Sequence, residues 1–211
     1  MEMKKGTTTV GLVCKDGIIL AADKRATAGT LIVDKRAKKV HKLNDESAVT
    51  IAGTVSDAQL IIKLLKAEIR LKVFRTDKKI SMKETANLLA GLLYSGIRKM
   101  SMIPTIAHFL LGGHDKQGLH LYDLYPDGSV SKIRDYVSSG SGSVIAYGVL
   151  ESQWKRGLSI EEGLALAVKA LNAALQRDSA SGNGIDVIKI TTRGVERIFE
   201  QDLNTIIELK K

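Results

Sequence analysis

Strand-like and helix-like segments occur in separate blocks along this chain, and that order restricts the fold more than any other feature. Short β-prone runs fill the first fifty residues, and the first two flank the turn dipeptide Asp16-Gly17. Two helical stretches follow, then strands, two more helices and final strands. Segregated blocks indicate an α+β fold and not a doubly wound α/β sheet. We therefore predict a four-layer αββα sandwich, in which helix pairs flank two antiparallel sheets.

Four segments are predicted to be helices, and the second carries the i, i+3, i+4 apolar spacing that is typical of one-sided helices. The first is expected to be capped by Ser56-Asp57 and to carry Leu60 and Leu64 in its apolar stripe. The third runs from residue 143 to about residue 156. The second and fourth begin at capping boxes, Ser81 with Glu84 and Ser159 with Glu162. Strands are predicted over residues 8–13, 18–22, 30–33, 40–43, 48–52, 106–111, 119–124, 130–133, 187–191 and 195–199.

Composition is typical of a folded globular protein and restricts the possible chemistry. The 211 residues are 44% apolar, which suits one domain with a packed core. No stretch approaches the ~20 apolar residues that cross a bilayer, and no signal-peptide pattern is present. The single cysteine, Cys14, excludes an internal disulfide framework and a Cys-rich zinc site within one chain. These features predict a soluble, cytoplasmic protein.

The charge balance permits nucleic-acid binding but does not favour it. There are 32 basic and 23 acidic residues, giving a net charge of +9, and basic surfaces attract phosphate. The basic residues are mostly dispersed, however, and the one dense run is Lys35–Lys39. Only nine aromatic residues (three Phe, one Trp and five Tyr) are available for base stacking. A solvated basic face, or a basic subunit that assembles with acidic neighbours, explains the same composition.

Common catalytic motifs are missing from the sequence. It contains no HExxH, no P-loop, no Gly-x-Ser-x-Gly elbow and no Gly-x-Gly-x-x-Gly after a strand. The Ser/Gly run over residues 138–143 is by default a flexible turn that enters a helix. The histidines are scattered and fit ordinary surface or core positions better than ligand roles; they are His41, His108, His114 and His120.

The start of the first predicted strand offers an unusual nucleophile. Three threonines follow Gly6, and threonine is common in strands for structural reasons alone. Cleavage after Gly6, however, leaves Thr7 with a free α-amine beside its own hydroxyl. The pKa of an α-amine is about 7.7–8.0, so this amine can act as a general base for the hydroxyl. Such a site also needs a buried cation and a balancing carboxylate. Lys39 and Asp23 are candidates, although each alone also fits a surface charge.

Six short motifs stand in order along the chain without disrupted spacing: Gly6–Gly11, Asp23, Lys39, Ala52-Gly53, Gly140–Gly142 and Arg177–Gly182. Together they resemble the motifs of 20S proteasome β-subunits, which are N-terminal nucleophile hydrolases. The archaeal type is the most similar, and the resemblance extends from Gly6 to the last strands. Each motif alone is short, but the ordered set is very specific.

The resemblance implies a threonine endopeptidase with a propeptide, residues 1–6, and a single domain, residues 7–211. Autolytic cleavage between Gly6 and Thr7 would expose Thr7 as the nucleophile. Lys39 would lie beside the Thr7 hydroxyl, and Asp23 would pair with Lys39. The backbone N–H of Gly53 would form the oxyanion hole. Hydrogen bonds that support the Thr7 amine would come from Ser141, Asp178 and Ser181.

The resemblance also implies how substrates bind. Thr27 and Gly53 would hold an unfolded peptide as an added strand. The pocket for the residue before the cut would be shaped by Ala26, Ala37, His41, Ile51 and Val55. Since none of these is acidic and most are small or apolar, we expect cleavage after Leu, Phe or Tyr. Protonation of His41 would favour cleavage after Glu as the pH falls towards 6.

The partners that the resemblance implies are other proteasome subunits. The chain would join α-type subunits and further β-subunits in a stacked α7β7β7α7 barrel. An ATPase regulator would deliver unfolded proteins to it. No cofactor, metal, nucleic acid or membrane is expected to take part. The catalytic role implied for Lys39 also offers an explanation for part of the basic run Lys35–Lys39 that does not involve nucleic acid.

Two alternatives stay open from the sequence. A bacterial two-component threonine protease has similar Thr, Asp and Lys motifs, but the segment Arg177–Gly182 resembles the proteasome form better. A structural β-subunit that joins the ring without cutting is the other alternative, since some archaea have more than one β-subunit. Every catalytic residue type is present here, which argues against a degenerate subunit.

Overall fold

Two antiparallel sheets lie face to face between two pairs of helices in the computed structural model, which describes residues 6–100 and 106–203. The strands are β1 (Thr9–Val13), β2 (Ile18–Asp23), β3 (Ala26–Ala28), β4 (Leu31–Asp34), β5 (Val40–Lys42), β6 (Ser47–Gly53), β7 (Ala107–Asp115), β8 (Gly118–Leu124), β9 (Val130–Ile133), β10 (Tyr136–Ser139), β11 (Gly184–Thr191) and β12 (Gly194–Asp202). The helices are α1 (Val55–Thr76), α2 (Met82–Arg98), α3 (Ser143–Gln153) and α4 (Ile160–Arg177).

The strand order places the first and the last described strands, β1 and β12, in one sheet. The first sheet has the order β10-β1-β2-β11-β12, the second has the order β5-β6-β7-β8-β9, and β3 pairs with β4 alone. The predicted hairpin forms at Asp16-Gly17: Val13 pairs with Ile18, and the Cys14 N–H donates to the Gly17 carbonyl at 2.8 Å. Glycine is required here for space, since a Cβ on Gly17 would lie 2.6 Å from the Ile190 carbonyl oxygen.

Three apolar layers hold the sandwich together. Leu20 and Leu110 are fully buried between the two sheets. Phe109 packs in the layer between the second sheet and helices α1 and α2, and Leu12 packs between the first sheet and helices α3 and α4. Burial of a side chain of this size stabilises the fold by roughly 1.5–3 kcal/mol. The predicted αββα sandwich is therefore confirmed.

Helix starts follow local signals except at α1. Both predicted capping boxes form, at the first turns of α2 and α4. The prediction that Ser56-Asp57 caps α1 is wrong, because the N-cap is Thr54 and the helix begins at Val55. The Thr54 N–H donates to the Ile106 carbonyl at 2.8 Å, so the chain passes from strand pairing directly into the helix. The helix start therefore coincides with a contact to Ile106, which directly precedes β7 and is remote in sequence.

Two short strands, β3 and β10, were not expected from the sequence. β10 includes Ser138 and Ser139 of the run that suggests a flexible turn, and Ser139 pairs with Thr9 of β1. A four-residue strand of this composition forms because β1 supplies hydrogen-bond partners for its backbone. This pairing brings the Ser/Gly run next to Thr7.

Helix α1 has apolar residues on two faces. One face is buried against the second sheet, and Leu65 and Ile69 belong to it. The other is exposed, and we call it the outer stripe: Leu60, Leu64, Ala67, Leu71 and Phe74. Leu60 and Leu64, expected in the same stripe as the buried residues, are 57% and 44% exposed. The alternating spacings of four and three residues in the outer stripe are those of a helix that packs on a partner.

None of the helices formed by residues 6–100 and 106–203 combines the length and the apolar character that a membrane span requires.

Candidate active site

Thr7, Asp23 and Lys39 meet at one end of the sandwich. Thr9 pairs with Ala22, so the residues before β1 lie beside Asp23 at the end of β2. Lys39 precedes β5 in the opposite sheet, where its carbonyl accepts the Ile51 N–H at 2.9 Å. Both sheets thus contribute to the cluster, which explains how residues far apart in sequence come together.

The carboxylate of Asp23 is the centre of the cluster and is fully buried. Its Oδ1 accepts hydrogen bonds from the Lys39 Nζ at 2.7 Å, the Thr8 N–H at 3.0 Å and the Thr7 Oγ1 at 3.2 Å. A single carboxylate oxygen therefore contacts both the hydroxyl and the ammonium group. Charge-assisted hydrogen bonds of this kind offset the cost of burying the carboxylate.

The second oxygen of Asp23 binds a loop that sequence reasoning did not connect to it. Oδ2 accepts the backbone N–H of Arg25 at 3.0 Å and that of Gly182 at 2.9 Å. The Arg25 side chain holds the same loop, since its Nε donates to Asn183 Oδ1 at 2.8 Å and its Nη1 to the Ser179 carbonyl at 2.9 Å. Arg25 was missed as a site residue; the charged run Asp23-Lys24-Arg25 at a strand end was the only local signal.

Burial dominates the electrostatics of Lys39. Its side chain is 7% exposed and forms a salt bridge with Asp23. Loss of water lowers the pKa of Lys39 below its ordinary value, and the attraction of Asp23 and then of Asp178 opposes this shift only in part. The Lys39 ammonium therefore releases its proton more readily than a surface lysine does.

A second carboxylate, Asp178, organises the hydroxyl groups around Thr7. Asp178 is the C-cap residue of α4, and its Oδ2 accepts hydrogen bonds from Ser141 and Ser181, each at 2.6 Å. The Ser141 Oγ in turn accepts the Thr7 N–H at 3.2 Å, and the Ser181 Oγ lies 2.7 Å from the Thr8 Oγ1. The three residues that the resemblance assigns as support thus form one hydrogen-bonded group beside Thr7.

Gly6 fits at a position that has no room for a side chain. A Cβ added to Gly6 would lie 1.8 Å from the Ala180 Cβ and 2.7 Å from the Ser141 Oγ. Any larger residue would displace the loop that carries Ser181. The rest of the predicted propeptide, residues 1–5, lies outside the described residues.

A cleft of about 730 Å³ opens beside Thr7, and Thr7, Lys39 and Gly53 are part of its wall. Gly53 ends β6 with a positive φ of 108°, and a Cβ there would lie 2.4 Å from the Ile106 carbonyl oxygen. Strand residues direct their N–H groups to alternate edges. Because the Ile51 N–H points towards Lys39, the Gly53 N–H points to the same side, where β5 has ended. It therefore faces the cleft.

All the residues predicted to bind substrate line this cleft: Ala26, Thr27, Ala37, His41, Ile51 and Val55. Thr27 lies on the short strand β3, and its buried Oγ1 has no hydrogen-bond partner among the residues described. The basic run is divided: Lys39 is buried, whereas the exposed side chains of Arg36 and Lys38 lie on the cleft wall.

His41 is kept neutral by its surroundings. Burial is the largest cause that lowers its pKa, and the positive charges of Lys66, Arg197 and Lys38 lower it further. Its Nε2 lies 2.9 Å from the Lys38 carbonyl oxygen, a contact that raises the pKa only in part. The pKa of His41 therefore lies below its ordinary value of 6.5, and the neutral imidazole is the main form at pH 6.5 and above.

The other histidines lie outside the cleft. His108 and His120 contact carboxylates, with Nε2 distances of 2.5 Å to Asp123 Oδ1 and 3.0 Å to Asp115 Oδ1. Across residues 6–100 and 106–203, no three His, Cys, Asp or Glu side chains are grouped closely enough to hold a metal ion.

Sequence comparison defines the class of protein to which this sandwich belongs. The family model described as "Proteasome subunit" matches residues 3–190. The chain therefore belongs to the proteasome subunit family.

Relatives that match almost the whole chain are β-type subunits from archaea. "Proteasome subunit beta" of Methanocaldococcus vulcanius is 48% identical over 208 residues, which are 98% of this chain and 92% of the relative. The Methanocaldococcus jannaschii protein of the same description is 44% identical over 212 residues, 100% of this chain and 93% of the relative. That of Ferroglobus placidus is 43% identical over 204 residues, 97% and 95% of the two chains. The expected similarity to archaeal β-subunits is confirmed.

Proposed function

We propose that this chain is a catalytic β-subunit, a threonine endopeptidase that cuts unfolded proteins inside the proteasome chamber. The observation that carries the proposal is the contact of one buried Asp23 oxygen with both the Thr7 hydroxyl, at 3.2 Å, and the Lys39 ammonium, at 2.7 Å. Thr7 and Lys39, which this contact joins through Asp23, lie on the wall of the cleft that the expected substrate-binding residues line. A buried hydroxyl, ammonium group and carboxylate in mutual contact are unusual at a site that has only a structural role.

The first reaction in this proposal is removal of the propeptide, residues 1–6, from the domain of residues 7–211. The Thr7 hydroxyl attacks the Gly6 carbonyl carbon, and an ester replaces the amide as the Thr7 nitrogen becomes an amine. Water then hydrolyses the ester and releases residues 1–6. The narrow site around Gly6, where a side-chain Cβ would lie 1.8 Å from the Ala180 Cβ, supports a requirement for glycine before the cut.

Substrate hydrolysis uses the same hydroxyl. The free Thr7 amine accepts the hydroxyl proton while the hydroxyl oxygen attacks the substrate carbonyl. The positive charge of Lys39 favours the neutral amine and the ionised hydroxyl, and Asp23 balances that charge. The Gly53 N–H stabilises the oxyanion, and water then hydrolyses the acyl-enzyme. Ser141, Ser181 and Asp178 keep the amine in place.

The peptide is proposed to bind as an extended strand between Thr27 and Gly53. Both residues lie on the cleft wall, Thr27 in the middle of the short strand β3 and Gly53 at the end of β6, where the backbone can pair with an added strand. The side chain before the cut would enter the pocket around Ala26, Ala37, His41, Ile51 and Val55. Particles of this kind would act in the cytoplasm and receive substrates from an ATPase regulator.

Mass analysis of β-chains from assembled particles tests this function. We expect the mass of residues 7–211 and hydrolysis of fluorogenic peptides that end in Leu or Tyr. Particles that retain residues 1–6 and cut no peptide would instead support the alternative, an unprocessed structural β-subunit of the same particle.

The outer stripe of α1 supports assembly with neighbouring subunits in a stacked α7β7β7α7 barrel. We expect Leu64→Glu to reduce the yield of assembled particles by about tenfold, because it places a charge where roughly 1.5–3 kcal/mol of burial per copy is expected. Arg70→Glu is the matched control, since Arg70 is exposed on α1 outside the stripe. Native mass spectrometry of co-expressed subunits measures both. Normal assembly of Leu64→Glu would contradict an interface at this stripe.

The pocket histidine predicts how specificity depends on pH. His41 is mostly neutral at and above pH 6.5 because its pKa is lowered, so most of the gain of cleavage after Glu should occur below pH 6.5. We expect the ratio of Glu to Leu cleavage to change less between pH 7.5 and 6.5 than below pH 6.5. Fluorogenic peptides measure this ratio, and His41→Gln should abolish the rise. A rise that persists in His41→Gln would assign it to another group.

A further inference from the structure

Lys24 is a buried cation that the proposed chemistry does not use. It follows Asp23 directly and is 4% exposed. Its Nζ forms salt bridges with Glu200 Oε1 at 2.7 Å and Asp202 Oδ1 at 2.6 Å, both on β12. Burial acts to lower the pKa of Lys24, but the hydrogen bonds to Asp202 and Glu200 outweigh it and raise the pKa. Lys24 therefore remains an ammonium group at neutral pH.

The backbone of Lys24 joins two segments that carry site residues. Its N–H donates to the Gly182 carbonyl at 3.1 Å, in the loop that holds Ser181. Its carbonyl accepts the Ala37 N–H at 3.0 Å, in the segment that leads to Lys39. Lys24 thus contacts three parts of the chain: β12, the loop that carries Ser181, and the segment from Arg36 to Val40, which we call the Lys39 segment.

The strand β12 also holds both ends of the Lys39 segment. The second oxygen of Asp202 lies 3.4 Å from the Arg36 Nε, three residues before Lys39. The Arg197 Nη2 donates to the Val40 carbonyl, the residue after Lys39, at 3.3 Å. Arg197 is itself fixed by Asp186, whose Oδ1 lies 2.7 Å from its Nε. The segment from Arg36 to Val40 is therefore tied to β12 on either side of Lys39.

We propose that Lys24, bound by Glu200 and Asp202, is a positioning residue that holds the Lys39 segment so that the Lys39 ammonium reaches Asp23. The inference rests on the proposed function of Lys39. A salt bridge that only stabilised the fold would join β12 to β2, but it would not need Asp202 to reach Arg36 or the Lys24 carbonyl to bind Ala37. These additional contacts all lead to the segment that carries Lys39.

Asp202→Asn and Glu196→Gln form a matched pair of variants that tests this role. Both residues lie on β12, both pair with a lysine, and both changes remove one negative charge. Glu196 pairs with Lys189 at 2.8 Å, outside the cleft wall. In assembled particles we expect Asp202→Asn to lower kcat about tenfold with KM within about twofold, since small displacements of catalytic groups have effects of this size. Glu196→Gln should stay within about twofold of the parent particle in both constants.

The pH profile separates positioning from stability. A loosened segment gives Lys39 more water and weakens its contact with Asp23, and these two changes shift its pKa in opposite directions. Because burial is the largest influence on the pKa of Lys39, we expect that pKa, and with it the alkaline limit of kcat, to move to higher pH in Asp202→Asn. Lys24→Met should show the same shift, whereas Lys24→Arg should restore the parent profile. Unchanged kcat and profile in Asp202→Asn, or losses that only follow the loss of assembled particles, would overturn the role. An inactive parent particle of correct mass would instead overturn the proposed function.

Discussion

Particles that carry Thr7→Ala are expected to retain residues 1–6 and to lose peptide hydrolysis by at least about a thousandfold, the size of effect seen when a covalent nucleophile is removed. The same hydroxyl is proposed to attack the Gly6 carbonyl and later the substrate, so one change blocks both reactions. Mass analysis of the β-chain and a fluorogenic peptide assay on the same particles measure the two losses separately.

Thr9→Val is the matched control for that experiment. Thr9 is a buried threonine two residues further along, and its Oγ1 donates only to Ser139 Oγ, at 3.3 Å. Valine has nearly the same shape, so processing and hydrolysis should persist. A chain expressed from Thr7, after removal of the initiator Met, should be active without processing. A Thr7→Ala particle that cleaves peptides at the normal rate would show that another residue is the nucleophile.

Lys39→Ala should reduce hydrolysis by more than about a hundredfold, whereas Lys38→Ala should change it by less than about twofold. The two lysines are neighbours, but Lys39 is 6% exposed and bound to Asp23, while Lys38 is exposed on the cleft wall. Removing the Lys39 ammonium leaves Asp23 buried without its cation, which costs roughly 3–5 kcal/mol when a buried pair is broken. Assembly is therefore measured alongside activity.

Lys39→Arg keeps the charge and tests the geometry of the pair. A guanidinium is bulkier than an ammonium and does not release its proton near neutral pH, so this variant should also be strongly impaired. Full folding with little activity would fit the proposed role. Mild, equal losses in Lys38→Ala, Lys39→Ala and Lys39→Arg would show that Lys39 is a buried structural charge without a catalytic role.

The parts of the fold that sequence could predict were those with local signals. The Asp16-Gly17 hairpin and the capping boxes at Ser81 and Ser159 depend on neighbouring residues, and all three form. The start of α1 and the strand β10 depend instead on pairing with remote strands, and periodicity carries no information about those partners. The sequence could not show that Leu60 and Leu64 are exposed, because a leucine on an exposed helix face and a leucine in the core are the same residue type.

The site required more than local pattern. Chemical reasoning alone could make Thr7 a candidate nucleophile and could predict that a cation and a carboxylate lie near it. The assignment of these roles to Lys39 and Asp23 came from the resemblance to a known family. Two further residues near the site, Arg25 and Lys24, were not identified from the resemblance and are recognised only by their contacts with residues remote in sequence. Arg25 holds the loop through Asn183, and Lys24 binds β12, yet both look like ordinary charged residues at a strand end.

The contacts among Thr7, Asp23 and Lys39 are present while Gly6 is still attached. Under the proposed mechanism, the uncleaved chain is inactive because the Thr7 nitrogen is still part of an amide bond. It is not inactive because its site is disordered. Maturation would then be an irreversible, first-order event within each chain. A population of assembled chains should lose the propeptide along a single exponential with no initial lag, because no slow refolding step comes first and one of the two chemical steps, ester formation or ester hydrolysis, limits the rate.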